Sequence, residues 1–293
     1  MLDDRPRVSI GMPVYNTGEM VRTAIESILA QDFTDFELII SDNASDDGTY
    51  EICREYAVAD SRVRLYRNEQ NLGAAPNYNR TLELAQGEYF KWQCHDDWCA
   101  PTFLSRCIAV LDKDPSVVLA YPQTIIVDDD GNFLGHYEEP ANASAHNVVQ
   151  RFAQFYWNLS LCNLFFGVMR TDVVKSTSHW HPSFWEGDKV LLYEIALRGR
   201  MVEVPEPLFY RRFGSPRVRD GRFLNVANRA NQRLRRMWTY YHQISAVCRS
   251  PVRAHQKAML LWHVGLRFLV GQKSKRFLDA RAQAAKEPAG SAH

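Results

Sequence analysis

The sequence predicts an α/β fold, a mostly parallel, Rossmann-like sheet flanked by helices, followed by a helical C-terminal region. Three observations carry this. Short apolar runs alternate with segments of helical period over the first hundred residues, the signature of βαβ units. Those runs end in polar or unusual residues, at 13–16, 42–48 and 95–97. After Gly214, Ser215 and Pro216 the pattern changes to long, arginine-rich helical stretches, which places a boundary near 214–222.

In order, residues 7–13 read as a buried strand ended by Pro13. Residues 20–30 read as a helix, because Val21, Ala24, Ile25, Ile28 and Leu29 recur at helical spacing. The apolar run 36–41 is a second strand, closed by a turn-rich segment at 42–48. Residues 49–57 are helical and 63–66 form a third strand. Residues 71–85 begin as a loop and become a helix, and 88–93 form a fourth strand running into Cys94, His95, Asp96 and Asp97. A helix is expected at 102–111, strands at 117–121 and 124–127, and a turn at 128–132. Helices at 148–159 and 188–197 follow, the second stopped by Arg198 and Gly199. Short strands are expected at 201–204 and 208–212, then helices at 223–247 and 252–270.

The 293 residues carry 35 Lys and Arg against 34 Asp and Glu, a formal net charge of +1. With 46% apolar and 24% charged residues, the composition excludes a wholly disordered chain. The near-zero total hides two opposed parts. Residues 211–281 hold 17 Lys and Arg and two acids, a net of +15, whereas residues 1–210 sum to −14. Basic residues interspersed with Leu, Trp and Phe suit an anionic membrane surface or a lipid-diphosphate acceptor held at one. The plainer alternative is an amphipathic appendage packed on the body or on a second copy of the chain, a homo-oligomer. The six cysteines form no CxxC pair and the first residues lack a signal-peptide core. Both features favour a reducing, cytoplasmic setting, to which the basic C-terminal region adds peripheral attachment at the inner face of the membrane as an expectation. No apolar run reaches the roughly 18 residues of a membrane span; the nearest, 258–270, contains His263 and Arg267.

In open α/β sheets ligands bind beyond the carboxyl ends of the strands, so the three polar strand ends are expected to converge on one crevice. Taken singly, each has a structural explanation: a turn at 42–48, helix capping by Asp97 or by Asp188. Each also has a chemical one. A carboxylate at 96–97 can share a divalent cation with a diphosphate. The 42–48 loop can pair with a nucleobase edge, and Asp188 can act as a general base.

Order and spacing join these segments. Val8-Ser-Ile-Gly-Met-Pro-Val-Tyr-Asn16 is followed by Ser27-Ile-Leu-Ala-Gln31, Phe36-Glu-Leu-Ile-Ile-Ser-Asp42, Asn71-Leu-Gly73, Asn79, Ala85-Gln-Gly-Glu-Tyr89 and Asp96-Asp97. Gly187-Asp188 comes next, with Gly199 11 residues after Asp188, then Pro205-Glu-Pro-Leu-Phe-Tyr-Arg-Arg212. Over roughly residues 7–215 this series resembles family 2 glycosyltransferases. The resemblance implies a GT-A catalytic domain at 1–215, with the basic helical region at 216–293 outside it. It implies an inverting transferase that takes a nucleotide-sugar donor, UDP- or dTDP-linked, to a glycan or lipid-linked acceptor in cell-surface polysaccharide synthesis. By the same resemblance Pro13, Tyr15, Asn16, Asp42, Asn43, Asn79, His95 and Asp96 line the nucleotide site. Asp96, with Asp97 as second candidate, holds Mn²⁺ or Mg²⁺, and Asp188 is the catalytic base. A base and a leaving group on opposite faces of the sugar require Asp188 to stand across the cleft from Asp96.

Four positions depart from the family pattern. Cys94 stands where an acid is usual, Tyr78 where Arg is frequent, Gly187 where Glu often precedes the base, and Phe213 where His is common. Glu186 is a candidate substitute for the missing acid. The departures keep open a non-catalytic nucleotide-sugar-binding or scaffold protein. A nucleotidyltransferase is disfavoured, because residues 11–16 are not a glycine-rich phosphate loop, and a nucleic-acid partner is disfavoured by the catalytic resemblance. His179-Trp-His181 reads as a loop lining an acceptor site, and Trp157, Trp180 and Trp185 as candidates to stack on sugar rings.

Overall fold

The first strand, β1 (Val8–Val14), is buried along its whole length, as a strand must be when helices cover both faces of its sheet. The computed structural model describes residues 5–181, 186–213 and 229–270. After β1 come α1 (Met20–Leu29), β2 (Phe36–Asp42), α2 (Thr49–Ala59), β3 (Val63–Arg67), α3 (Ala74–Leu84) and β4 (Tyr89–Trp92). These are parallel βαβ units: β1 pairs with β2 and with β4, and β2 with β3, all in parallel. Strand order is therefore 3-2-1-4, and the direction of winding reverses between β1 and β4.

The second half is mixed. It contains β5 (Trp98–Cys99), α4 (Phe103–Lys113), β6 (Val117–Val127), β7 (Phe133–Tyr137), α5 (Val148–Asn158), a one-turn 3-10 helix (Asn163–Phe166), β8 (Val168–Arg170), α6 (Thr171–Lys175), α7 (Gly187–Arg198) and β9 (Arg200–Arg212). β8 runs antiparallel to both β4 and β6 and joins the two halves. β6 pairs in parallel with β9. Each of these long strands was expected as two short ones. Pro122 in β6 and Pro205 and Pro207 in β9 interrupt the apolar pattern, but they fall where the register between the strands shifts. At such an irregularity a residue without an N–H costs no ladder bond.

Alternation along the strands divides the core. Val8, Ile10, Met12 and Val14 face a cluster with Val21, Ile25 and Ile28 of α1 and Phe103 and Leu104 of α4. Phe90, Trp92 and Leu119 face the opposite cluster, with α5 and α7. Almost every residue of α7 is buried, as expected of a helix apolar around its circumference.

The last two helices are α8 (Arg229–Arg249) and α9 (Ala254–Val270). Residues 223–228 of the expected first helix, and the boundary near 214–222, lie outside the described residues. Val247, Leu260 and Val264 join the core beside α5 and α7. Tyr156 donates to Gln243 at 2.7 Å, and Arg249 pairs with the buried Glu194 of α7 at 3.1 Å. The other face stays open, with Leu234, Met237, Trp238, Tyr241 and Trp262 exposed. Among the described residues no helix is long and apolar enough to cross a membrane. All six cysteines are unpaired.

One-sided docking of α9 has a direct consequence. Leu260→Ala should cost roughly 2–5 kcal/mol in urea unfolding, because Leu260 is fully buried. Trp262→Ala, at a position 67% exposed, should stay within about 0.5 kcal/mol. Equal effects would contradict the docking.

Candidate active site

The carboxyl ends of β1, β2 and β4 lie side by side, since Val14 pairs with Asp42 and Gly11 with Trp92. The loops that leave β1 and β2 are joined. The Asn16 amide and the Asp46 backbone N–H and carboxylate exchange two hydrogen bonds, of 2.8 and 3.1 Å. The Asn16 N–H donates to Ser45 Oγ, and the Gly18 N–H to Asp47 Oδ2. Asn16 itself is left-handed, with φ of 47°, a conformation Asn tolerates better than most residues. Tyr15 stands 40% exposed at the rim. Pro13 is buried beneath it.

Asp42 is fully buried, and its carboxylate receives the Ser45 N–H and the Arg67 guanidinium, the latter at 3.3 Å. Asn43 is committed to the loop before α3: its oxygen accepts from Asn68 and from the Leu72 N–H, and its amide donates to Asn71. Asn79 is likewise occupied. Its amide donates to the Trp180 carbonyl at 2.8 Å and its oxygen accepts the Trp180 N–H at 3.0 Å. As placed, both asparagines clamp the walls of the cleft. Their sequence signal was the same as for a ligand contact.

At the end of β4, Gln93 donates to the carbonyls of Cys94 and Asp97. The buried Lys91 holds Gln93 in turn, donating to its Oε1 at 2.9 Å and to the Phe166 carbonyl at 3.1 Å. Asp97 is anchored to β9, its Oδ1 accepting the Arg212 N–H at 2.9 Å. Burial, with the Asp96 charge beside it, pushes the Asp97 carboxyl up to about 7, opposed by the charge of Arg211 and the Arg212 N–H. Burial and the same two carboxylates hold the Cys94 thiol well above its usual range. Among the described residues Asp96 Oδ1 is buried with no hydrogen-bond partner. Donor atoms of Cys94, His95 and Asp96 lie within 4.8 Å of one another. A buried, unpartnered carboxylate oxygen inside such a cluster fits a divalent cation. Asp97 is tied to β9 by the Arg212 N–H, and Cys94, at a position where an acid is usual, lies in the cluster.

Asp188 opens α7. The Lys189 N–H donates to its Oδ1 at 2.8 Å, and Glu186 pairs with the Lys189 side chain at 2.9 Å. Burial raises the Asp188 pKa above that of an ordinary carboxylate, opposed by the Lys189 N–H and charge. The Asp188 charge reaches Cys162, and Arg211 of β9 reaches both Cys162 and Asp97. Gly187 is there for space, since a Cβ would lie 2.5 Å from the Trp180 ring and 2.9 Å from the His181 carbonyl. Trp180 packs edge-on against Tyr78 at 4.7 Å, and Trp92 stacks on Phe165 at 4.6 Å. Tyr78 therefore belongs to an aromatic floor. His179 is left-handed, φ 59°, and His181 meets the His242 ring at 4.5 Å, so this segment is a loop, as expected. Trp185 lies outside the described residues. A polar concavity at Arg62, Arg64 and Glu37 lies at the amino ends of the strands; Arg62 pairs there with Asp60 and Arg64 with Glu37.

The family model described as Glycosyl transferase family 2 matches residues 9–177. The chain belongs to glycosyl transferase family 2. It is 34% identical over 196 residues to EpsE of Bacillus subtilis (strain 168), which carries a provisional glycosyltransferase designation; the match covers 64% of this chain and 69% of EpsE. Other curated relatives are matched over less than half of their length. Staphylococcus aureus TarS, solved in complex with UDP-GlcNAc, superposes with a TM-score of 0.69 at 18% identity, covering 92% of this chain and 75% of that one. Mannosyltransferase PcManGT from Pyrobaculum calidifontis, solved with GDP-Man and Mn²⁺, gives 0.57 at 19% identity, covering 98% and 77%. At these identities the likeness is one of fold, and the fold is GT-A. The chain is a glycosyltransferase.

The fit between Gly187 and Trp180 is testable without a substrate. Gly187→Ala should cost roughly 1–3 kcal/mol by overpacking, and Trp180→Ala should relieve most of it. Urea unfolding of both single variants and the double should be strongly non-additive. Additive costs would contradict the contact.

Proposed function

We propose that this glycosyltransferase inverts at the anomeric carbon, taking a sugar from a UDP- or dTDP-sugar to a hydroxyl of a glycan or lipid-linked acceptor in cell-surface polysaccharide synthesis. The observation that carries the proposal is the placement of two carboxylates on different elements, Asp96 at the end of β4 and Asp188 at the start of α7. Tyr15, exposed at the rim, would line the nucleoside pocket. The buried Asp42, oriented by Ser45 and Arg67, offers its carboxylate near the same strand ends. Pro13, Asn16, Asn43, Asn79 and His95 line the nucleotide site in this reading, and Asn43 and Asn79 also brace its walls.

Asp96, with His95 and Cys94, would hold a divalent cation, Mn²⁺ or Mg²⁺ by the family resemblance. Such an ion stabilises the charge that grows on a departing diphosphate. An acceptor hydroxyl is a poor nucleophile, and Asp188 takes its proton as attack proceeds. The raised pKa brings the carboxylate closer to the working pH and makes it a stronger base. It also moves the acid limb upward: Asp188 must be deprotonated, so turnover falls as pH drops through a pKa above the usual carboxylate value. Asp188→Asn should lower kcat by roughly 10²–10⁴-fold and leave donor binding by calorimetry unchanged. Retained turnover would remove Asp188 from the role of base.

The division at 215/216 is part of the same proposal, with 216–293 meeting an anionic inner membrane face. Leu234, Met237, Trp238 and Tyr241 recur at helical spacing on the exposed face of α8, and Trp262 and Leu269 are exposed on α9. This apolar stripe sits in the part of the chain with net charge +15, the combination that binds a lipid interface. The chain should co-sediment with phosphatidylcholine vesicles that contain phosphatidylglycerol and not with vesicles that lack it. High salt or the pair Trp238→Ser and Trp262→Ser should release it. Equal sedimentation with both vesicle types would overturn the membrane assignment.

A further inference from the structure

We infer that Cys94 is a metal ligand, and that the Cys94, His95 and Asp96 site binds thiophilic ions of the Zn²⁺ and Co²⁺ class more tightly than Mg²⁺. The inference rests on the reading of the β4 end as the cation site and goes beyond it in naming the donor set.

The geometry is that of three different donors on one short loop. A thiol sulphur, an imidazole nitrogen and a carboxylate oxygen lie within 4.8 Å of one another. A tetrahedral ion with ligand distances of about 2.0–2.3 Å holds its donors roughly 3.5 Å apart, so small side-chain rotations close the set. Among the described residues Asp96 Oδ1 is buried and lacks a hydrogen-bond partner, which leaves it open to a ligand. The loop backbone is held at both ends. Gln93 Nε2 donates to the Cys94 carbonyl at 3.0 Å and the Asp97 carbonyl at 2.8 Å, and Arg212 Nε donates to the Asp96 carbonyl at 3.2 Å. Asp97, whose Oδ1 accepts the Arg212 N–H, is spent on that support.

The donor set decides the preference. Mg²⁺ requires oxygen ligands in near-octahedral geometry and keeps much of its water. Thiolate and imidazole favour Zn²⁺ and its neighbours late in the first transition row, and binding such an ion displaces the Cys94 thiol proton to solvent. Three protein ligands with one further position open is the pattern of catalytic zinc sites. In an all-oxygen site Cys94 would subtract a ligand; in this one it contributes the donor that sets selectivity.

Cobalt reports the bond itself. The full chain, free of nucleotide and air, is titrated with Co²⁺ while its near-ultraviolet and visible absorption is followed. The wild type should develop a thiolate-to-cobalt charge-transfer band at one equivalent, Zn²⁺ should abolish it, and excess Mg²⁺ should not. Cys94→Ser should lose the band, whereas Cys248→Ser, which removes the exposed thiol, should keep it. Absence of the band in the wild type, its persistence in Cys94→Ser, or displacement by Mg²⁺ would overturn the inference. The wild-type displacement series needs no variant to fold. Binding of UDP and dTDP in Mg²⁺, measured on the same samples, separates the two claims. Nucleotide binding without a cobalt band sinks the thiolate site and leaves the transferase reading standing. A band without any nucleotide binding supports the site and counts against that reading.

Discussion

Two adjacent carboxylates at the end of β4, one buried and one with a buried, unpartnered oxygen, are the constraint around which the cleft is organised. Charges withdrawn from water are costly unless paired or hydrogen-bonded. The chain answers with cationic and N–H groups from distant elements. Arg212 donates its backbone N–H to Asp97 and its side chain to the Asp96 carbonyl. Arg211 adds its charge while bonding to Leu161 and Asn163. Lys91, buried under Phe103 and Phe209, reaches the loop through Gln93. What this support leaves unfilled is one oxygen of Asp96.

A second buried acid ties α7 to the C-terminal helices. Glu194, one turn and a half along α7 from Asp188, accepts from the Ser178 N–H and hydroxyl and pairs with Arg198 and with Arg249 of α8. Arg267 of α9 bonds to the Tyr156 carbonyl and approaches the Tyr193 hydroxyl of α7. The helix that presents Asp188 is therefore braced by the region that carries the excess positive charge. One face of these two helices packs on the body, and the other leaves Leu234, Met237, Trp238 and Tyr241 exposed.

The parallel half of the sheet and its helices were legible because each element buries a continuous apolar run or one stripe at helical spacing. What escaped notice had no such signature. β5 is two residues long and β8 three, while β7 is largely exposed and shows no alternation. The site was legible to the extent that strand ends determine it. Tyr15, Asp42 and Asp96 stand at or just beyond strand ends, and Asp188 stands in the first turn of α7. Asn79 shows the limit: its partner, Trp180, is 101 residues away, and nothing local separates a clamp from a ligand contact. Gly187 shows the same, since the ring that excludes a side chain comes from a loop seven residues earlier. Cys94 was visible as a departure, but its meaning needed the neighbouring imidazole and carboxylate to be seen in one cluster.

The central claim is that the crevice at the ends of β1, β2 and β4 binds a nucleoside diphosphate through a cation held at Asp96. Calorimetric titration of UDP and dTDP into the wild type and into Asp96→Ala, with Mn²⁺ and again with a chelator, tests it most directly. The account predicts binding of at least one nucleotide by the wild type with Mn²⁺, and loss of that binding both on chelation and in Asp96→Ala. Binding that survives both the chelator and the substitution would contradict it.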